Sequence, residues 1–220
     1  MLKSPLPRHF SEKKLRDSYA RVAWFYNAWS RLTESKAAAK VLEWAAIQNG
    51  GRVLEVAVGT GLVFTEIVRR NPDGENEGLD LSPAMLARAK KLLGLTKGRY
   101  HLQTGNAFDL PFGDASFDLL VNNFMIDLVP EKDFGRLLSE FHRVLKPGGR
   151  AVISTMAFGQ KWYNRFWHTV ARWLPGLLTG CRPVDIGWPL ADAGFELSKM
   201  ETVSQNTFPA TVYLAQKPAT

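Results

Sequence analysis

The stretch VLEVAVGTG (53–61) decides the fold of this chain. Its apolar, β-branched run from 53 to 58 is flanked by glycines on both sides, which predicts a buried strand. The glycines at its end predict a tight turn, and residues 62–70 predict a helix. A strand, a glycine-rich turn and a helix start direct backbone N–H groups and the helix dipole at the negative end of a ligand. The stretch therefore predicts a nucleotide-type site.

The residues around this turn indicate which kind of nucleotide the predicted site would bind. A second strand is predicted to end at Asp80, about twenty residues after Gly61, where a carboxylate holds a ribose. A dinucleotide fingerprint needs glycine at position 64, but Phe64 stands there, which argues against an NAD-linked enzyme. Glu55 would face the amino group of an amino-acid moiety and repel phosphate.

Three motifs resemble one family. The pattern Glu-x-Ala-x-Gly-Thr-Gly (55–61) resembles motif I of class I S-adenosylmethionine-dependent methyltransferases. That family usually has glycine at the position of Ala57, and its quinone-methylating branch resembles this chain in tolerating alanine. LDLSPAMLARA (79–89) is similar to the second motif, and GNAFDLPF (105–112) resembles the third, with Asn106 replacing an aspartate. The resemblance is good over residues 15–158 and loose beyond them.

The resemblance implies a doubly wound α/β fold. We expect a seven-stranded, mostly parallel sheet of the Rossmann-like class I methyltransferase type with N-terminal lid helices, in which the last strand inserts antiparallel between its neighbours. We expect a single methyltransferase domain over 1–220. Its parts are an N-terminal helical lid (1–48), a cofactor-binding core (51–158), and substrate-side helices with closing strands (159–220).

The resemblance also implies S-adenosyl-L-methionine as cofactor and S-adenosyl-L-homocysteine as product. Asp80 is expected to accept hydrogen bonds from both ribose hydroxyls, and Leu81 to lie against the adenine. The amide oxygen of Asn106 can accept from the adenine amino group, and the N–H of Ala107 can serve a ring nitrogen. The expected cofactor-binding residues are Tyr19, Tyr26, Glu55, Ala57, Gly59, Thr60, Gly61, Asp80, Leu81, Met85, Asn106, Ala107, Phe108, Asn122 and Asn123.

The catalytic candidates follow the fourth predicted strand. Ligands bind beyond the carboxyl ends of parallel strands, so residues 122–127 are expected to face the pocket. Asn122 is expected to contact the methionine portion, largely through its backbone, while Asn123 and Asp127 border the reacting methyl group. Asp127 is the nearest titratable candidate for a base, or it is a helix-capping aspartate. The predicted catalytic residues are Asp127, Asn123 and Tyr26, and no metal is expected.

Residues 10–30 alternate charge with aromatic residues at helical spacing. They predict either an amphipathic helix packed on the domain or a lid from which Tyr19 or Tyr26 reaches the cofactor. Tyr-x-x-x-Ala-x-x-Tyr-Asn (19–27) resembles the N-terminal segment of ubiquinone/menaquinone methyltransferases, and we favour Tyr26.

Residues 160–182 contain many tryptophans beside arginines. They predict either a helix packed in the core or an interfacial helix whose apolar face enters lipid. We expect a hydrophobic substrate pocket, with possible peripheral membrane contact through 160–174.

The composition of the chain restricts its expected location and its expected partners. The chain has 220 residues, a net charge of +7 and one cysteine, Cys181, which fits a reducing compartment. It contains no run of apolar residues long enough to span a membrane and no signal-peptide block, so we expect a cytoplasmic protein that is either free or peripheral at the membrane. Dispersed basic residues disfavour a nucleic-acid partner. The oligomeric state stays open.

The predicted function is methylation of a small lipophilic acceptor. The first expected acceptor is a quinone- or phenol-type ring, and the alternative acceptor is a phospholipid amine or a thiol at a membrane surface. A non-catalytic partner protein is a third hypothesis. A nucleic-acid methyltransferase would need an Asp/Asn-Pro-Pro-Tyr-type motif where Asn-Asn-Phe-Met (122–125) stands.

Overall fold

Seven strands form one sheet in the computed structural model, which describes residues 32–94, 96–158, 173 and 182–219. The strands are β1 (Arg52–Val56), β2 (Glu75–Asp80), β3 (Tyr100–Thr104), β4 (Phe117–Asn123), β5 (Leu145–Met156), β6 (Glu196–Gln205) and β7 (Phe208–Gln216). Their order is β3-β2-β1-β4-β5-β7-β6. The first five strands are parallel, and β7 lies antiparallel between β5 and β6, which confirms the predicted closing pair.

Helices cover both faces of this sheet. They are α1 (Ser35–Ala45), α2 (Leu62–Arg70), α3 (Pro83–Leu93), α4 (Phe134–Val144) and α5 (Gly187–Asp192). Apolar residues of α1, α2 and α3 form one buried cluster with the sheet, and those of α4 and α5 form a second. The predicted doubly wound α/β fold is therefore confirmed. In the described ranges no helix has the length and apolar character needed to cross a membrane.

The central crevice lies where the chain changes direction across the sheet. β1 pairs with β2 on one side and with β4 on the other, because the chain runs from β1 through β2 to β3 at one edge and then crosses back to β4. Loops at the carboxyl ends of these strands diverge there and leave space for a ligand. The turn after β1, the end of β2 and the residues after β4 consequently surround one site.

The turn after β1 has an unusual backbone. Ala57, Gly59 and Gly61 have φ angles of 64°, 57° and 85°. A Cβ added to Gly61 would lie 2.9 Å from Ala89, so glycine is needed where α2 crosses α3. The N–H groups of Ala57 and Val58 both donate to the Leu79 carbonyl, at 2.7 and 3.1 Å, and hold the turn against β2.

Three segments bear on the predicted boundaries. Helix α1, the described part of the predicted N-terminal region 1–48, packs on β5, β6 and β7, with Val41 fully buried. Residues 146–150 lie inside β5 as an irregularity with Gly148 at a φ of 76°. Helix α5 begins only at Gly187, and before it the Val184 N–H donates to Met156 O and ties this segment to β5.

We predict that Ala57→Gly stabilises the protein. A left-handed conformation costs an L-residue about 1–2 kcal/mol, and glycine adopts it without that cost. After subtracting the entropy that glycine loses, we expect a gain of about 1 kcal/mol and a melting temperature about 2–4 °C higher. Thermal unfolding measures this shift.

The control is Ala39→Gly, at an exposed position inside α1. It should destabilise the protein by about 1 kcal/mol, because glycine is a poor helix former. If both variants lower the melting temperature, the strain assigned to Ala57 is wrong.

Candidate functional site

A cavity of ≈ 260 Å³ opens beyond the carboxyl ends of β1, β2 and β4. Its wall is formed by the turn after β1, the end of β2, the loop after β3 and the residues after β4. The predicted site residues that line it are Ala57, Gly59, Asp80, Leu81, Met85, Asn106, Ala107, Phe108 and Asn123. Residues distant in sequence therefore share one concave surface, the usual location of a ligand in an open α/β sheet.

Asp80 is fixed at this wall by two backbone groups. Its Oδ2 accepts the N–H of Gly59 at 2.7 Å, and its Oδ1 accepts the N–H of Ser82 at 2.8 Å. Burial raises the pKa of Asp80 above its ordinary value, while these two hydrogen bonds oppose the rise. Each carboxylate oxygen can accept a further bond, so the oriented carboxylate suits a pair of hydroxyl donors.

The loop after β3 forms another part of the wall. The side-chain oxygen of Asn106 accepts the N–H of Phe108 at 3.0 Å, so its first partner is its own turn rather than a ligand. The Arg136 guanidinium lies 5.1 Å from the centre of the Phe108 ring, and both residues line the cavity. Glu140 accepts the N–H of Leu110 at 2.7 Å and anchors the loop to α4.

A smaller cavity of ≈ 60 Å³ adjoins the first one. Ala57, Gly59, Asn123 and Phe124 line both cavities. Thr60 and Glu55 line the smaller cavity, as does Glu34, which precedes α1 and which the motifs did not indicate.

Glu55 is nearly enclosed in this small cavity. It is 2% exposed, and burial raises the pKa of its carboxyl group well above the usual value. The Nδ2 of Asn123 donates to its Oε1 at 3.5 Å, whereas its Oε2 has no hydrogen-bond partner among the described residues. A buried acceptor without a partner is costly, which suits a ligand that brings a donor.

Asn123 links three strands at the junction of the cavities. Its Oδ1 accepts from Ser154 Oγ at 2.9 Å on β5, while its Nδ2 donates toward Glu55 on β1. Both ends of the amide are thus fixed by neighbours. The next residue, Phe124, has a φ of 48°, a strained conformation for a bulky side chain.

Two predicted residues lie away from both cavities. Asn122 is fully buried and donates through Nδ2 to Val56 O at 2.8 Å, because successive side chains of a strand point to opposite faces. Asp127 is fully buried in the turn Ile126–Leu128, and its Oδ2 accepts the N–H of Met156 at 2.8 Å. Neither residue lines a cavity, and the expected backbone contact of Asn122 with the methionine portion and the expected position of Asp127 beside the methyl group stay predictions.

The remaining predicted residues have other positions. Gly61 lies outside the linings of both cavities and permits the close approach of α2 and α3. Tyr19 and Tyr26 fall outside the described residues, as does most of 160–174. Their roles stay predictions.

Comparison with known proteins agrees with this geometry. A family model described as a methyltransferase domain matches residues 53–149. A ubiquinone/menaquinone biosynthesis C-methyltransferase of Geobacter sulfurreducens is 37% identical over 151 residues, which cover 64% of this chain and 57% of that protein. The chain spans about half the length of the first curated relatives that it matches.

Solved structures share the fold at lower identity. The 4+2 cyclase SpnF superposes with a TM-score of 0.76 at 18% identity, covering 99% of this chain and 100% of that one. A SAM-dependent methyltransferase from Methanosarcina mazei superposes with a TM-score of 0.66 at 21% identity, covering 79% of this chain and 95% of that one.

The motifs, the domain model matched over residues 53–149 and the fold all resemble those of class I S-adenosylmethionine-dependent methyltransferases. Within that class, the chain resembles the ubiquinone/menaquinone biosynthesis branch.

The described residues fit S-adenosylmethionine, the cofactor that the motifs imply. Asp80 offers a carboxylate already oriented for hydroxyl groups, and Glu55 offers a buried oxygen that has no partner among the described residues and suits an amino group. Asp80 lines the larger cavity and Glu55 the smaller, adjoining one. Asp80 would therefore hold the ribose of the cofactor and Glu55 its amino-acid end.

We predict a specific pH effect of Asp127→Asn on stability. Burial raises the pKa of Asp127 to about 8, so the folded state binds a proton that the unfolded chain releases near pH 4. Wild-type stability should therefore fall as pH rises through this window, by at most about 1.4 kcal/mol per pH unit from this group. The variant cannot titrate there and should lose less stability between pH 5 and pH 8.

Urea unfolding at the two pH values measures this difference. Asp192→Asn, at an exposed position at the end of α5, serves as the control and should follow the wild-type pH dependence. Parallel pH profiles for Asp127→Asn and the wild type would contradict the assignment of Asp127 as a buried structural carboxyl group.

Proposed function

We propose that this protein is an S-adenosylmethionine-dependent methyltransferase whose acceptor is a small lipophilic molecule, with a quinol-type ring as the first choice. The observation that carries this proposal is the apolar wall beside Asn123. Phe124, Met125, Leu128 and Val129 line the same large cavity as Asp80. An uncharged, flat ring matches such a wall better than a polar or charged acceptor does.

The apolar wall is itself firmly packed. Phe124, Leu128 and Val129 are all buried, and the Phe124 ring lies edge-on to Phe208 at 6.1 Å between centres. The Phe124 N–H donates to Ser154 O at 2.9 Å and attaches this segment to β5. A preformed apolar surface can orient an acceptor without reorganising during the reaction.

The reaction requires mainly that the acceptor atom is placed in line with the methyl group. The cofactor supplies a methyl group on a positively charged sulfur, which is an activated leaving group. Methylation of a quinol ring forms one carbon–carbon bond, releases the ring proton and gives S-adenosylhomocysteine as product. Buried Asp127 lines neither cavity, so it is a poor candidate for the base that would activate the ring. Asn123 and Tyr26 remain the other predicted catalytic residues.

The proposal extends to the location of the protein and to its contact with a membrane surface. Residues 160–174 combine aromatic and basic side chains, and Trp173, which the structure describes, is 72% exposed. Together with the net charge of +7, this supports peripheral contact of a cytoplasmic enzyme with an anionic membrane surface. A phospholipid amine or a thiol is the alternative acceptor at that surface.

Transfer of a labelled methyl group tests the proposal. The purified protein is incubated with methyl-labelled S-adenosylmethionine and detergent-solubilised demethylated quinols, a phospholipid with a primary amine, or a small thiol. We expect label on the ring carbon of the quinol. Asp80→Asn should lower kcat/KM at least about tenfold, mainly through the KM of the methyl donor, because one hydroxyl acceptor is lost.

Two outcomes would contradict the quinol assignment. Label found only on the amine or on the thiol would replace the acceptor class. No transfer to any acceptor, combined with no binding of S-adenosylhomocysteine, would favour the non-catalytic partner protein. The shared fold of a cyclase makes this chemical test necessary, because fold alone does not decide activity.

A further inference from the structure

Ser154 is a fully buried polar residue near the end of β5 that lines neither cavity. The pairing of β4 with β5 places it opposite Asn123, and its Oγ donates to Asn123 Oδ1 at 2.9 Å. A buried hydroxyl needs a hydrogen-bond partner, and this one takes a side chain of the site as its partner. Ser154 therefore reaches the site through Asn123 rather than through contact with a ligand.

The hydrogen bonds form a chain across three strands. Ser154 on β5 donates to Asn123 on β4, and Asn123 Nδ2 donates to Oε1 of Glu55 on β1 at 3.5 Å. The chain ends at Glu55, whose Oε2 has no partner in the described part of the protein. Both bonds run in the same direction, with the donor on the side away from Glu55, so each one strengthens the next.

This direction follows from the chemistry of the three groups. An ionised carboxylate only accepts hydrogen bonds, so the Asn123 amide has to present Nδ2 to Glu55. Its Oδ1 then faces β5 and needs a donor, which the Ser154 hydroxyl supplies. Without that hydroxyl, Oδ1 would lose its donor and the amide would be held at one end only, by the longer of its two bonds.

The other surroundings of Glu55 disfavour its negative charge. Burial is the main cause that raises the pKa of this carboxyl group, Asp80 adds to the rise, and the hydrogen bond from Asn123 opposes it. The Asn123 amide thus supports the ionised form of Glu55, which is the form that attracts an ammonium group. A group that fixes this amide consequently contributes to binding in the small cavity.

We propose that Ser154 is a positioning residue for the amino-acid end of the cofactor, because it holds the Asn123 amide in the orientation that supports Glu55. This inference rests on the proposed function, since it takes the ligand to be S-adenosylmethionine. It adds to the site a residue that none of the motifs contains and that lines no cavity.

Calorimetric titration of Ser154→Ala with two ligands tests the proposal. S-adenosylhomocysteine contains the amino-acid end, whereas 5′-methylthioadenosine contains the same nucleoside without it. We expect about fivefold weaker binding of S-adenosylhomocysteine, since one supporting hydrogen bond is lost. Binding of 5′-methylthioadenosine should stay within about twofold of the wild type. The backbone bond from Phe124 N–H to Ser154 O does not involve the hydroxyl, so the apolar wall stays attached to β5.

Thr155→Val is the matched control. Thr155 is the next residue of the same strand and is equally buried, but its side chain points to the opposite face of the sheet. The substitution removes a hydroxyl from the same depth of the core without changing the shape of the side chain much. Both affinities should stay within about twofold of the wild type.

A double-mutant cycle with Glu55→Gln tests whether Ser154 acts through Glu55. In the Glu55→Gln background, Ser154→Ala should change binding of S-adenosylhomocysteine by less than about twofold, because the charge that the chain supports is already absent. A hydroxyl with only a packing role would cause the same loss in both backgrounds. If Glu55→Gln binds too weakly to titrate, the difference between the two ligands decides the question.

The outcomes separate this inference from the proposed function. If the wild type binds both ligands and Ser154→Ala binds S-adenosylhomocysteine as tightly as the wild type, the inference is overturned and the proposed function stands. Equal weakening of both ligands, or an undiminished effect in the Glu55→Gln background, would also overturn it. If the wild type binds neither ligand, the inference and the proposed function both fail.

Discussion

The hydrogen bond between Asp80 and the N–H of Gly59 is the constraint on which the site depends. It joins the end of β2 to the turn after β1 at 2.7 Å, and the Leu79 carbonyl adds two more bonds to the same turn. These bonds hold a backbone with three positive φ angles, one of them at an alanine. The carboxylate that is proposed to hold the ribose therefore also maintains the turn after β1, so the proposed site and the local fold depend on the same side chain.

The parts that the sequence predicts well are local or carried by motifs. The strand, turn and helix from 52 to 70 follow from a short apolar run between glycines, and the local sequence also explains the start of α3, where Ser82 is the cap and Pro83 the first residue. The antiparallel closing pair follows from the family resemblance. In each case the deciding residues are neighbours in sequence, so the pattern alone contains the information.

The parts that the sequence misses depend on orientation or on distant contacts. Asn122 and Asn123 are adjacent, but the side chains of successive strand residues point to opposite faces. The Asn122 side chain therefore donates to the backbone of β1, whereas Asn123 lines the cavity. Asp127 turns inward to Met156, a contact that no spacing rule indicates. Glu34 reaches the site because α1 packs on the sheet and because a hairpin 170 residues away holds its first turn. Only the tertiary structure brings these groups together.

A structure of the protein with bound S-adenosylhomocysteine tests the central claim most directly. The account predicts that the ligand occupies the crevice beyond β1, β2 and β4. Both ribose hydroxyls should lie about 3 Å from the Asp80 carboxylate, which should keep its bond to the Gly59 N–H. A ligand bound elsewhere, or a ribose that does not contact Asp80, would contradict the account.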